Sequence, residues 1–357
     1  MKICFLITGL GIGGAERHLF NLVPKLKFNV FIISLSNNND FGVEIEQKGI
    51  KVYYLGLNKI NLPLVILRLI KIIRAEKPDV IDTYLIHANL IGRIVGKILR
   101  INKIICSIRN DYSHLKTLNF LDKITQNLVD LYILNSKSLF DYVHKHNHVP
   151  IKKIKYIPNG IDLKRMYGKL DKNYDIRKEL SLEKNSFVLS SVLRLIKDKN
   201  IPTLMKSLKY LDKNIFLLII GDGTQKEYLL NLSRKLNLND NIFFLGKRKD
   251  VFNIVNSSDV FILPSLREGM SNALLEAMAL KKICIVSNIP QNRELIKNRF
   301  NGITFSPLNE RELAEKIKKV YENKNLEALR QESFNLIKNK FNIKIIFKSY
   351  ENIIEAL

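Results

Sequence analysis

"TGLGIGGAERHL", Thr8 to Leu19, sets Gly9, Gly11 and Gly14 in the spacing G-x-G-x-x-G. The apolar run Lys2–Thr8 precedes it and a periodic stretch, Ala15–Lys27, follows, so the segment reads as strand, glycine turn and helix start. Backbone amides left free at such a start can meet an anion. A dinucleotide site needs one residue more, an acid about twenty positions on at the end of the second strand, to hold a ribose. That strand ends "IISLSNNND": Leu35 and Ser36 stand where the carboxylate belongs, and Asp40 comes too late. The loop is therefore not read as an NAD site.

Outward from the loop, apolar strands alternate with helical stretches. Strands are expected at Lys2–Thr8, Val30–Ser36, Lys51–Leu55, Val80–Thr83, Ile104–Ile108 and Leu131–Leu134, with helices such as Leu64–Arg74 and Leu85–Leu99 between them. The second half repeats the pattern with Phe187–Val192, Ile215–Ile220, Ile242–Leu245, Val260–Leu263, Ile283–Val286 and Ile303–Phe305, separated by helices that include Lys226–Leu236 and Asn272–Ala279. Continuous apolar strands in βα alternation imply parallel sheets covered on both faces. Between the halves, "IKYIPNGIDLKRMYGKLDKNYD" carries Pro158, Asn159 and Gly160 and then loses its period, as a linker does. The expected class is α/β, with two doubly wound Rossmann-like domains over residues 1–165 and 166–342, and a last helix, 343–357, that can pack back on the first.

Composition fits that picture. A chain of 357 residues can bury two cores. Cys4, Cys106 and Cys284 lie far apart in apolar runs, as reduced core thiols of a cytoplasmic protein do. No apolar run reaches membrane-spanning length. The start reads as a strand and not a signal peptide. The net charge of +24 is spread evenly: residues 1–165 hold 25 Lys and Arg against 12 Asp and Glu, the remainder 33 against 22. Abundant Lys, Ile and Asn make composition one explanation; attraction to anionic ligands or a membrane surface is the other. Nucleic acid is not expected, because no basic block is interleaved with stacking aromatics.

The chemistry concentrates in the second half. "SLREGMSNALLEAMAL" places Glu268 and Glu276 eight apart across a turn-to-helix transition. Gly269 permits the turn, Ser271 or Asn272 can cap the helix, and the amides from Met270 onward offer an anion site. Glu276, taken alone, is equally readable as a solvated helix charge; as part of a site it can accept hydrogen bonds from diol hydroxyls. "SVLRLIKDKN" sets Arg194 and Lys199 just past a strand end, where open parallel sheets bind ligands and where two cations can neutralise a diphosphate. "IIGDGTQKEYL" adds Gly221 and Gly223, a plain turn or a ligand loop.

Taken in order, "GGAE" (13–16), "KPDVI" (77–81), "IPNGID" (157–162), Arg194 with Lys199, "GDG" (221–223), and "LPS" (263–265) before "EGMSNALLEAMA" resemble the family 4 nucleotide-sugar glycosyltransferases of GT-B fold, over nearly the whole chain. The resemblance implies two domains facing across a cleft and a retaining transfer, of hexosyltransferase type, from a nucleoside-diphosphate sugar, UDP-sugar by expectation, to a glycan or lipid-linked acceptor in cell-surface polysaccharide or glycoconjugate synthesis. By position, Arg194 and Lys199 would bind the diphosphate, Glu276 the ribose and Glu268 the sugar, while Gly13 and Gly14 admit the donor close to the backbone. No cofactor and no metal are implied. Leu193 replaces the family's glycine before the arginine, and Arg109–Asn110 stand where many members carry histidine. Arg109, Asn110 and His87 are the acceptor-side candidates. His144, His146 and His148 alternate in a polar stretch and read as surface residues, not metal ligands.

"LPLVILRLIKIIRAEK" spaces Arg68, Lys71, Arg74 and Lys77 three apart. The stripe is either a solvated face of a crossover helix or, with "LRINK" (99–103), a contact for an anionic membrane. With the resemblance, it gives an expectation of peripheral association with the inner face of the cell membrane. A sugar-nucleotide epimerase on the same fold and a non-catalytic protein binding an anionic polymer are the alternative functions.

Overall fold

The computed structural model describes the whole chain apart from Ile12, Lys59, His114, Lys324, Asn325 and the side chain of His146. It divides into two compact units, Met1–Gly160 with Ile343–Leu357, and Ile161–Asn342.

The first unit holds seven parallel strands: β1 (Lys2–Ile7), β2 (Asn29–Ser34), β3 (Lys51–Tyr54), β4 (Val80–Tyr84), β5 (Lys103–Ile108), β6 (Leu131–Leu134) and β7 (Ile154–Tyr156). They lie in the order β3-β2-β1-β4-β5-β6-β7. Both faces are dry. Ile3, Phe5 and Ile7 of β1 pack with the helix Gly14–Leu22 and the C-terminal helix, while Cys4 and Leu6 pack with Val65, Leu69 and Ile73 of the helix Leu62–Glu76. The final helix, Ile343–Glu355, presents Ile343, Ile346, Tyr350 and Ile354 to this unit at helical spacing. Gly160 lies beneath it, where a Cβ would come 3.0 Å from Ile343 Cα.

The second unit holds β8 (Phe187–Val192), β9 (Ile215–Ile220), β10 (Ile242–Gly246), β11 (Val260–Leu263), β12 (Ile283–Ser287) and β13 (Ile303–Phe305), all parallel, in the order β10-β9-β8-β11-β12-β13. Val260 and Ile262 point into one core and Phe261 and Leu263 into the other.

Two expectations are corrected. The helix expected over Ala15–Lys27 ends at Leu22 and continues as a 3-10 turn, Val23–Lys25; Pro24 lacks an amide proton and its ring crowds the carbonyl four residues back. β7 was not expected, since it is three residues long with an exposed, lysine-bearing body. The three cysteines are buried and free.

One ion pair is sealed in the first unit. Arg93, on the helix Ile86–Ile98, lies 2.8 Å from Asp122 on the helix Lys116–Thr125, with both side chains almost wholly buried. Removing one partner strands a charge in the core. Asp122→Ala is expected to cost about 3–5 kcal/mol. Urea unfolding of the variant measures this, and a loss under about 1 kcal/mol would show that the pair is solvated.

Candidate active site

In each sheet the strand order reverses once, between β1 and β4 in the first unit and between β8 and β11 in the second. Loops leave these neighbouring strands in opposite directions, which opens a crevice at the carboxyl edge. The expected site residues fall at these two edges.

In the second unit, the loop after β8 carries Arg194 and Lys199, and the loop after β11 carries Glu268 to Ser271. Leu266 N donates to Asp198 O at 2.8 Å and Asn200 Nδ2 to Pro264 O at 3.2 Å, fastening one loop to the other. Lys199 Nζ then sits 2.6 Å from Glu268 Oε1, the same oxygen that accepts from Ser265 Oγ at 2.6 Å. The side chains are 14% and 9% exposed. A carboxylate so enclosed needs a cation and donors, and it has them. Arg194 is exposed and pairs with no carboxylate among the described residues. Ser271, not Asn272, caps the helix Asn272–Ala279, its Oγ accepting from Leu274 N at 3.3 Å. Met270 and Glu276 are both buried at 6% exposure, Glu276 just beyond the first turn; Gly269 is half-buried in the turn.

The glycine missing at position 193 has its counterpart across the sheet edge. Gly221 adopts φ 138°, and a Cβ there would collide with the Leu193 carbonyl oxygen. Gly221 therefore lets the Arg194 loop pass close over β9, and Leu193 is packed there, buried.

In the first unit, Gly13 precedes the helix Gly14–Leu22 in extended backbone, without a capping side chain. Beyond β4, Leu85 stands at φ 73°, ψ 151°. A leucine there costs about 1–3 kcal/mol, strain of the kind that gathers at functional edges. His87 follows, exposed, in the first turn of the next helix. Beyond β5, Arg109 is buried at 7% exposure. Its Nη1 donates to Asn159 Oδ1 at 3.1 Å and its guanidinium lies 4.8 Å from the centre of the Tyr84 ring. Asn110 is exposed, its Oδ1 accepting from Asp111 N at 3.0 Å.

The structure adds residues that the sequence patterns pass over. Asp82 of β4 is fully buried and accepts from Ser107 Oγ at 2.8 Å, Tyr350 Oη at 2.8 Å and Tyr84 Oη at 3.2 Å. Burial pushes its carboxyl up to about 6, against the hydroxyl donors and Arg109, which pull it down. His18 lies on the buried stripe Ala15, His18, Leu19, Leu22, its ring 6.1 Å from that of Tyr84 and both nitrogens without a partner among the described residues. Burial first, and Arg109 second, hold it neutral. The stripe spacing was the signal available for His18; nothing local marks Asp82. His144 Nδ1 lies 2.8 Å from Val149 O, and His148 is exposed. The side chain of His146 lies outside the described residues. No three His, Cys, Asp or Glu among those residues are grouped to hold a metal ion.

Two such parallel sheets with helices on both faces match the GT-B fold of solved glycosyltransferase structures. Residues 12–165 match the family described as Glycosyltransferase Family 4, and residues 172–336 the one described as Glycosyl transferases group 1. The chain belongs to glycosyltransferase family 4, and it is a glycosyltransferase. Among its relatives, the Escherichia coli UDP-Gal:alpha-D-GlcNAc-diphosphoundecaprenol alpha-1,3-galactosyltransferase is 27% identical over 93% of this chain and 90% of its own length. The Campylobacter jejuni N-acetylgalactosamine-N,N'-diacetylbacillosaminyl-diphospho-undecaprenol 4-alpha-N-acetylgalactosaminyltransferase is 27% identical over 90% and 93%. The Staphylococcus aureus capsular polysaccharide biosynthesis glycosyltransferase CapM is 28% identical over 98% and 96%. Among solved structures, Anabaena HepE in complex with UDP-glucose superimposes with a TM-score of 0.89 at 21% identity over all of both chains. The lipopolysaccharide glycosyltransferase WaaG does so with 0.77 at 13% over 99% of each. Family membership sets aside the non-catalytic polymer binder and the epimerase.

The raised Asp82 carboxyl has a consequence for stability. Its folded value, about 6, exceeds its ordinary 3.8, so the folded chain holds this proton more tightly than the unfolded one. The stability of the wild type relative to Asp82→Asn should therefore decline as pH rises from about 4 to about 6, and stay level above that. Urea melts of both proteins across the range test it, and a flat difference would contradict burial of an ionisable Asp82.

Proposed function

We propose that the enzyme moves a sugar from a UDP-sugar to a hydroxyl of a lipid-linked glycan acceptor, with retention of anomeric configuration and without a divalent metal. The observation that carries the reading is the Lys199–Glu268–Ser265 cluster, with exposed Arg194 on the same loop as Lys199, at the strand-order reversal of the second unit. The donor class draws support from the UDP in the name of the Escherichia coli relative. The acceptor class draws support from the diphosphoundecaprenol in two relatives' names.

In this reading Arg194 and Lys199 hold the diphosphate, Glu276 the ribose hydroxyls and Glu268 the sugar. The amides of Met270, Ser271 and Asn272, at the start of the capped helix, face phosphate. Departure of the diphosphate breaks the C1–O bond and leaves oxocarbenium-like charge. The acceptor oxygen bonds C1 on the same face, and its proton passes to the departing phosphate oxygen. Positioning and charge stabilisation are the protein's share. Arg194 and Lys199 supply positive charge where the leaving group gains negative charge, the role a divalent cation plays in other transferases. On the first unit, Arg109, with His87 and Asn110, meets the acceptor.

Transfer assays with UDP-glucose, UDP-galactose and their N-acetylated forms, against synthetic diphosphoprenyl sugars in excess EDTA, test the reading. Arg194→Ala and Lys199→Ala are expected to lower kcat about 100-fold or more, since their charge counts most as the diphosphate departs. Glu276→Ala should mainly raise the donor KM, because a ribose contact is alike in ground and transition states. Near-normal turnover in Arg194→Ala, or activity lost in EDTA and restored by manganese, would overturn the assignment.

An acceptor of this kind implies work at a membrane, and the first unit has a face suited to it. The helix Leu62–Glu76 exposes Leu64 and Leu67 beside Arg68, Lys71 and Arg74; Ile86–Ile98 exposes Ile94, Lys97 and Ile98; Lys116–Thr125 exposes Phe120, Leu121 and Ile124. The carboxylates of these helices, Glu76 and Asp122, are engaged by Lys2, Lys51 and Arg93. No helix among the described residues is long and apolar enough to cross a membrane. Each cation near an anionic surface adds about 1 kcal/mol, screened by salt. Sedimentation with acidic vesicles should fall at high salt and weaken in Phe120→Ser/Ile124→Ser. Equal binding to neutral vesicles, or none at low salt, would refute membrane association.

A further inference from the structure

Asp82 is an expensive residue to keep. A carboxylate wholly buried in the centre of a parallel sheet costs free energy at neutral pH, which its hydroxyl donors and Arg109 offset. Its hydroxyl partners come from three elements: Tyr84 on its own strand, Ser107 on β5, and Tyr350 on the C-terminal helix, 268 residues away. Cys4 on β1 is a fully buried neutral thiol, and His18 on the helix Gly14–Leu22 is a neutral imidazole. Arg109 is a cation that acts on Asp82.

From Asp82 the contacts run toward the carboxyl edge. The Tyr84 hydroxyl donates to Asp82, which tethers the far end of that side chain, and the Arg109 guanidinium lies against its ring. Asn159 Oδ1 accepts from Nη1, while buried Nε has no acceptor among the described residues. Next along the chain from Tyr84 is Leu85, in its left-handed backbone, and then the helix bearing His87. The guanidinium is thus oriented by ring and amide, and its hydrogen-bonding capacity is incompletely used.

We infer that Tyr350 and Asp82 are positioning residues for Arg109: the C-terminal helix, acting through the Asp82 carboxylate and the Tyr84 ring, sets where the guanidinium meets an anionic or hydroxyl-bearing group of the acceptor. The inference rests on the acceptor role proposed above for Arg109. It assigns to Tyr350 and Asp82 a part in acceptor binding that neither touches directly.

The test compares Tyr350→Phe, Asp82→Asn and Arg109→Ala with wild type, using the UDP-sugar and diphosphoprenyl sugar that give transfer in the assay above. Tyr350→Phe keeps the ring and removes one hydroxyl, so it is the variant that folds most readily. Tyr350→Phe is expected to raise the acceptor KM about fivefold, the worth of one hydrogen bond, with donor KM and kcat within about twofold; Asp82→Asn should raise it further. Loss of core rigidity alone would lower the melting temperature without separating the two KM values. Hydrogen exchange in the ligand-free protein gives a second measurement: peptides over residues 106–113 should exchange faster in Tyr350→Phe. An acceptor KM unchanged in Tyr350→Phe and Asp82→Asn, while Arg109→Ala raises it, overturns the inference and leaves the role of Arg109 standing. An acceptor KM unchanged in Arg109→Ala removes both.

Discussion

Every strand pairing in both sheets is parallel, and a parallel pair cannot be closed by a tight turn. Each connection must cross a face of the sheet, which covers both faces with helices and sends every strand out at the same edge. Polar side chains that would be ruinous in the core are affordable at that edge. Where the order reverses, at β1 beside β4 and β8 beside β11, the loops part. Arg194, Lys199 and Glu268 follow from this constraint at one edge, and Gly13, His87 and Arg109 at the other.

The same constraint explains what could be read from the chain. Buried strands must be apolar along their length, so β8, β9, β11 and β13 were legible residue for residue, as was the helix Asn272–Ala279 behind its serine cap. Loops at strand ends were legible as places for chemistry, because position alone recommends them. Edge strand β7, short and lysine-bearing, gave no such signal, and Pro24 cut a helix that apolar spacing alone prolonged. Contacts between distant segments were beyond reach. Lys199 and Glu268 could be named as neighbours of one ligand but not as each other's partners. Nothing in "DVIDTY" indicates that Asp82 meets Tyr350, because the pairing depends on where the last helix lies.

The two edges handle charge differently. In the second unit, Glu268 is enclosed and bonded to a lysine and a serine of the two strand-end loops. Its charge is compensated by side chains on two loops that hydrogen bonds fasten together. In the first unit, Asp82 is held by hydroxyls and felt by Arg109 from within a rigid sheet. Geometry there is fixed before any ligand arrives.

Arg93 with Asp122 shows what a buried arginine looks like when its work is architectural. Its Nε donates to Asn89 O at 3.0 Å, its Nη1 to Asp122 O and Thr125 Oγ1 at 3.2 Å each, and its Nη2 meets the Asp122 carboxylate at 2.8 Å. Every nitrogen is engaged and none reaches a strand end. Arg109 is nearly as buried, yet it sits beyond β5 with an Nε that has no acceptor and a neutral imidazole as neighbour. A fold that can satisfy one buried arginine completely has the means to satisfy another. Arg109 is instead propped on a tyrosine ring, backed by a buried carboxylate and left with an Nε that has no acceptor among the described residues, and its proposed acceptor role rests on that difference.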